Sequence, residues 1–133
     1  MLEIIKELVA AVQKAITALR KHKDKSHKTA SKYFARLAKT LSQIVKALKA
    51  GEIPYGPGNR FKDLLAQAPE KTKGITKLGV QDLEKFFKSL SEAARNASTL
   101  DYHWVPDSER ARMLRNMDRL VGKLEALSVE LEP

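Results

Sequence analysis

Arg20 and His27 stand seven positions apart in LRKHKDKSHKTASK, residues 19–32, a stretch with one acid, Asp24, among six lysines and arginines. An arginine there is able to hold a scissile phosphate and a histidine to move a proton, so the pair has the residue types of phosphodiester chemistry. Metal chemistry fits less well. On a helix His22 and His27 point about 140° apart, His103 is remote, and there is no cysteine. No metal site and no cofactor are expected from these ligands.

In this spacing, in size and in all-α class the chain resembles HEPN-type ribonucleases. The resemblance implies Arg20 as the phosphate-holding residue and His27 as the proton carrier. Two departures argue against carrying that role over. Lys21 follows the arginine where the family has a polar residue such as Asn, Asp or His. The pair also lies at the end of the first helix, whereas the family's motif lies late in the domain. The stretch therefore reads as a solvated basic turn, and no residue is assigned as catalytic.

Gly51 and Gly56 have the spacing that opens a phosphate-binding P-loop, but Pro57 and Gly58 replace the lysine and hydroxyl which that loop requires. These glycines serve turns. Asn96-Ala97-Ser98 matches a glycosylation acceptor and carries no meaning without secretion. Of eight aromatic residues, Phe34, Phe86 and Phe87 fall on apolar stripes and read as core. Tyr55, Phe61, Tyr102 and Trp104 fall in or beside loops, where packing over the end of a bundle is expected rather than base stacking.

The pattern that singles out a surface is a row of cations. On a wheel for the second helix, Lys28, Lys32, Arg36, Lys39 and Lys46 fall within about 80°, opposite the apolar stripe. Lys25 joins them if the helix reaches back that far. Like charges four residues apart cost a few tenths of a kcal/mol each, which a bound polyanion relieves. The last helix carries a second row, Arg112, Arg115, Arg119 and Lys123, partly offset by Glu109.

The elements that position these rows follow from periodicity. Residues 2–50 contain neither glycine nor proline. Ile5, Leu8, Val12, Ile16 and Leu19 form one stripe, with Val9 and Ala15 beside it. Ala30, Phe34, Leu37, Leu41, Ile44 and Leu48 form a second. Between them the register lapses at Lys23, Ser26 and His27, which predicts a helical hairpin turning near 22–27. Gly51 suits a left-handed helix stop, GEIPYGPGNRF reads as a loop, and a short helix is expected over 60–67, stopped by Pro69. EKTKGITKLG reads as linker. Val80, Leu83, Phe87, Leu90, Ala94 and Ala97 mark a further helix. Met117, Leu120, Leu124, Leu127 and Leu131 mark the last, with Pro106 in its first turn. Four amphipathic helices predict a single all-α domain over 1–133, a four-helix bundle: hairpin 2–50, loop and short helix 51–79, helical pair 80–132.

A chain of 133 residues with 43% hydrophobic content suffices for one core. The absence of cysteine excludes disulfides and thiolate chemistry and suits a reducing, cytoplasmic setting. No uncharged apolar run approaches the roughly 18 residues needed to span a membrane, and MLEIIKELVAAVQKAITALRK is not expected to be a signal peptide. The net charge of +9 is unevenly placed: residues 1–50 hold twelve basic residues against three acids, 51–104 eight against seven, 105–133 five against six. The excess lies in the first 50 residues, which points to an anionic partner.

The expected function is a non-enzymatic basic helical subunit that binds a nucleic-acid backbone without sequence specificity, within a larger assembly and with protein partners. In size, charge and class the chain resembles the small basic helical subunits of CRISPR effector complexes, an analogy carried by no motif. A helical interaction or signalling domain, whose first helix engages a membrane or partner protein, is the alternative. An HEPN-like ribonuclease is the third reading.

Overall fold

The apolar stripes become helices where their spacing places them. The computed structural model describes residues 2–19, 28–73, 80–97 and 106–132. The fold is all-α, with α1 (Leu2–Leu19), α2 (Lys28–Lys49), α3 (Tyr55–Ala66), α4 (Ala68–Lys71), α5 (Val80–Ala97) and α6 (Asp107–Glu130). The four long helices are those expected. The turn near 22–27 lies outside the described residues.

Each stripe is buried where its side chains are described. Ile5, Leu8, Val9, Val12, Ala15 and Ile16 of α1 join Ala30, Phe34, Leu37, Leu41, Ile44 and Leu48 of α2 in one core. Met117, Leu120, Leu124, Leu127 and Leu131 enter from the last helix and its cap, with Met113 one turn earlier. Where its side chains are described, the apolar face of α1 lies in this core. No helix among the described residues is long and apolar enough to cross one.

The helices do not pair as expected. α6 packs against both α1 and α2, α3 packs on α2, and α5 packs on α1 and α3. Ser31 meets Ser128, and Lys49 meets Asp118, so α2 runs antiparallel to α6. Gln13 meets Lys123, and Lys6 shares a groove with Asn116 and Arg119, so α1 runs in the same direction as α6. The chain therefore reverses between α1 and α2, but α6 rather than α1 is the main neighbour of α2.

Small polar residues permit the close approach of α2 and α6. Ser31 Oγ donates to the Ser128 carbonyl at 2.6 Å, and Ser128 Oγ donates to the Ser31 carbonyl at 2.7 Å. Both residues are buried, so each hydroxyl is satisfied without water.

The loop expected over 51–58 is shorter than its composition suggests. Gly51 has φ 76°, and two bonds close a Schellman motif: Glu52 N–H to the Ala47 carbonyl at 2.9 Å and Gly51 N–H to the Leu48 carbonyl at 3.1 Å. A Cβ at residue 51 meets nothing within 4 Å, so Gly51→Ala carries only the left-handed backbone penalty. A loss of about 1 kcal/mol is expected, read by chemical denaturation. The helix over 60–67 then starts earlier, at Tyr55. Pro57 sits in its first turn, where a missing N–H breaks no bond, and Gly58 N–H donates to the Pro54 carbonyl at 2.8 Å. Pro69 opens α4 rather than ending structure, for the same reason. Glu70 and Lys71, expected as linker, are helical.

An early start to α3 brings Phe61 into the core, fully buried, where packing over a bundle end was expected. Tyr33, also buried, donates its hydroxyl to the Leu64 carbonyl at 2.6 Å and so ties α3 to α2. Burial pushes the Tyr33 phenol well above its ordinary value. The unfolded chain then loses this proton first as pH rises past about 10, binds fewer protons than the folded one, and folding weakens. Stability is expected to fall there by up to about 1.4 kcal/mol per pH unit from this group. Tyr33→Phe removes that alkaline limb in denaturation at pH 9–11. At neutral pH it costs only about 1 kcal/mol, because the Leu64 carbonyl keeps the Gln67 N–H at 3.0 Å.

Candidate functional site

α2 contains no acidic residue and six basic ones. Its apolar and small residues turn inward over about half the wheel, which leaves Lys28, Lys32, Arg36, Lys39 and Lys46 on the outer arc. All five are exposed. None makes an ion pair with an acid among the described residues. By contrast Lys49, at the edge nearest α6, binds Asp118 Oδ2 at 2.7 Å. Lys25 lies outside the described residues, as do Arg20 and all three histidines. Among the described residues no cluster of His, Cys, Asp or Glu could hold a metal ion.

Charge on this row works against the helix that carries it. Lys28 and Lys32 occupy the first turns of α2, where the partial positive charge of the peptide dipoles already resides. Lys28, Lys32 and Arg36 also repeat at four-residue spacing, which adds mutual repulsion. The hydrophobic face keeps α2 folded, and the row keeps its surface positive.

α3 extends the row sideways. A groove of about 290 Å³ runs between α2 and α3, bordered by Arg36, Lys39 and Thr40 on one side and Arg60, Asp63, Leu64 and Gln67 on the other. Arg60 Nη2 donates to Gln43 Oε1 at 3.0 Å, which holds the guanidinium across the groove beside the α2 cations. Asp63 is the one acid on its wall. Three cations from two helices thus converge on one cleft. Arg60 is the member that sequence reasoning missed; its position near the start of an expected short helix was visible, but its pairing with Gln43 had no local signal.

The second row takes another side of the molecule. Arg112, Arg115 and Arg119 are exposed on α6. Arg119 and Lys123 border a groove of about 270 Å³ against α1, with Lys6, Val9, Ala10, Gln13 and Asn116. Lys123 donates to Gln13 Oε1. Arg119 and Lys123 thus border α1 and Arg36 and Lys39 border α3, so the two rows line separate grooves. Lys6, beside the α1 groove, stands 3.9 Å from Glu3, so this second patch is partly neutralised where the α2 row is not.

The aromatic residues divide. Phe34 and Phe87 stack with ring centroids 6.2 Å apart and planes at 17°, and Tyr33 lies 6.1 Å from Phe87. Phe86 packs edge-on to Phe87 at 5.2 Å. Phe34 lies in the core as its stripe predicts, Tyr33 joins it, and Phe86 and Phe87 pack against it partly buried. Tyr55 does not pack over the bundle end as expected: it is 64% exposed at the start of α3. Tyr102 and Trp104 lie outside the described residues.

Comparison of the chain with family models, with curated proteins and with solved structures finds no match.

Proposed function

We propose that this protein is a non-enzymatic binding subunit that holds the sugar–phosphate backbone of a nucleic acid along α2, without reading base sequence. One observation carries the reading: five exposed cations on one arc of a helix that has no acid, none of them paired with an acid among the described residues. Lysine ammonium groups are point charges suited to phosphate oxygens, and a row of them follows a backbone whose charges recur regularly. Phosphates carry no sequence information, so such contacts fix position and not identity. A cysteine-free basic chain of this kind suits the cytoplasm, and its other partners are proteins of the same assembly.

Binding of oligonucleotides of unrelated sequence, followed by fluorescence anisotropy from 50 to 200 mM salt, tests the proposal. With five phosphate contacts the log–log slope is expected near −3.5 for single strands and −4.5 for duplexes, with affinities alike across sequences. Lack of binding at 50 mM salt overturns the reading. So does tighter binding to anionic vesicles than to any oligonucleotide. RNA cleavage that disappears in His27→Ala replaces it with the nuclease.

A further inference from the structure

The helix that forms the far wall of the groove beside the α2 row begins with an exposed aromatic residue, Tyr55, and that bears on which kind of nucleic acid fits. From Lys28 to Lys46 the row advances 18 residue steps, roughly 27 Å at about 1.5 Å per step. Near its C-terminal end Gln43 receives the Arg60 guanidinium. The other end of that guanidinium lies over Gly56, where a Cβ would stand 3.6 Å from Nη1. Tyr55 is the next residue in the chain, and its ring is 64% exposed. Arg36, Lys39 and Arg60 line the groove, and the exposed Tyr55 immediately precedes the glycine over which the Arg60 guanidinium lies.

The Tyr55 side chain lies outside the core, and only its backbone N–H is tied down, donating to the Ile53 carbonyl at 2.9 Å. In that setting a ring offers one interaction that a lysine row cannot, a π-face for a base. Bases in a duplex are stacked on one another and unavailable to such a ring. A duplex is also too broad to enter a cleft between two packed helices, whose axes lie roughly 8–10 Å apart in such contacts. A single strand has neither obstacle: its backbone lies along α2 and the groove against α3, and a base turns outward onto Tyr55.

We propose that the ligand of this surface is a single strand, with one base stacked on Tyr55 beside Arg60 while phosphates follow Lys28 to Lys46. The proposal rests on the reading of α2 as a phosphate track, and its test separates the two. The full chain is titrated with a mixed-sequence strand of about 15 nucleotides, within the usual range of single-strand sites, with the matching duplex, and with an abasic strand of equal length. The abasic strand keeps every phosphate and removes every base.

The wild type is expected to bind the natural strand at least about fivefold more tightly than the abasic one, and more tightly than the duplex. Tyr55→Ala is expected to bring natural and abasic strands to equal affinity without altering the abasic Kd, and Tyr55→Phe to keep the wild-type ratio. Tyr55 is exposed, so these variants fold. Equal wild-type affinity for natural and abasic strands, an unchanged ratio in Tyr55→Ala, or preference for the duplex overturns the stacking proposal and leaves the phosphate track standing. Binding to none of the three overturns both.

Discussion

Lys28, Lys32, Arg36 and Lys39 replaced together by glutamate are expected to lower nucleic-acid affinity at least about a hundredfold at 100 mM salt while the chain stays folded. Four substitutions of this kind take the net charge from +9 to +1, and they place repulsive carboxylates where phosphates would lie. All four side chains are exposed, so the core is untouched. Glutamate near the start of α2 also favours the helix dipole, which lysine opposes. The single variant Lys32→Glu sharpens the test, because it sits four residues from both Lys28 and Arg36. It converts two repulsive spacings into two attractive ones, and is expected to raise stability by a few tenths of a kcal/mol while weakening binding. A basic face that serves only solubility gains the stability and loses no ligand; opposite signs in the two measurements mark a face kept positive for binding.

Phe34→Ala is expected to have the largest effect on the fold, about 3–5 kcal/mol by denaturation. Phe34 is 1% exposed, lies 5.8 Å from Tyr33 and stacks on Phe87, so truncation leaves a cavity between α2 and α5 that rigid neighbours do not close. Against a total stability of about 5–15 kcal/mol, this is a drop in melting temperature of roughly 10–20 °C. Phe87 is only partly buried, so Phe87→Ala is expected to cost less. In the double variant the two losses should fail to add by about 0.5–1.5 kcal/mol, the interaction of the stacked rings. A Phe34→Ala cost below 1 kcal/mol would contradict its place in the core. Because Phe34 faces away from the cation row, the folded fraction should bind oligonucleotide as the wild type does.

The helices with unbroken periodicity were legible before the structure, and those interrupted by glycine and proline were not. α1, α2 and α6 carry their buried residues at three- and four-residue spacing, a property of each segment alone. The start of α3 was hidden, since Tyr55-Gly56-Pro57-Gly58 has loop composition, yet a first helical turn needs no N–H from Pro57. Phe61 was misplaced as a consequence, having been judged by its neighbours rather than by a helix face. Tyr33 was hidden for another reason: it flanks its stripe, and its partners, Leu64 of α3 and Phe87 of α5, come from distant segments. For the candidate site, the five cations of α2 were visible as one arc, whereas Arg60 and the exposed ring of Tyr55 were not.

What the sequence determined by itself is the all-α class, the inward face of each long helix and, by subtraction, the cationic outer arc of α2. All of these follow from 3.6-residue periodicity, which operates within one segment. What only the tertiary structure decided is who neighbours whom. α6 packs against both α1 and α2, α3 packs on α2 and places Arg60 on Gln43, and Arg119 and Lys123 of α6 border a groove with α1 instead of joining the lysines of α2. An apolar stripe specifies that a face is buried, not which partner buries it. That choice depends on the fit of faces far apart in the chain, such as the close Ser31–Ser128 contact between α2 and α6.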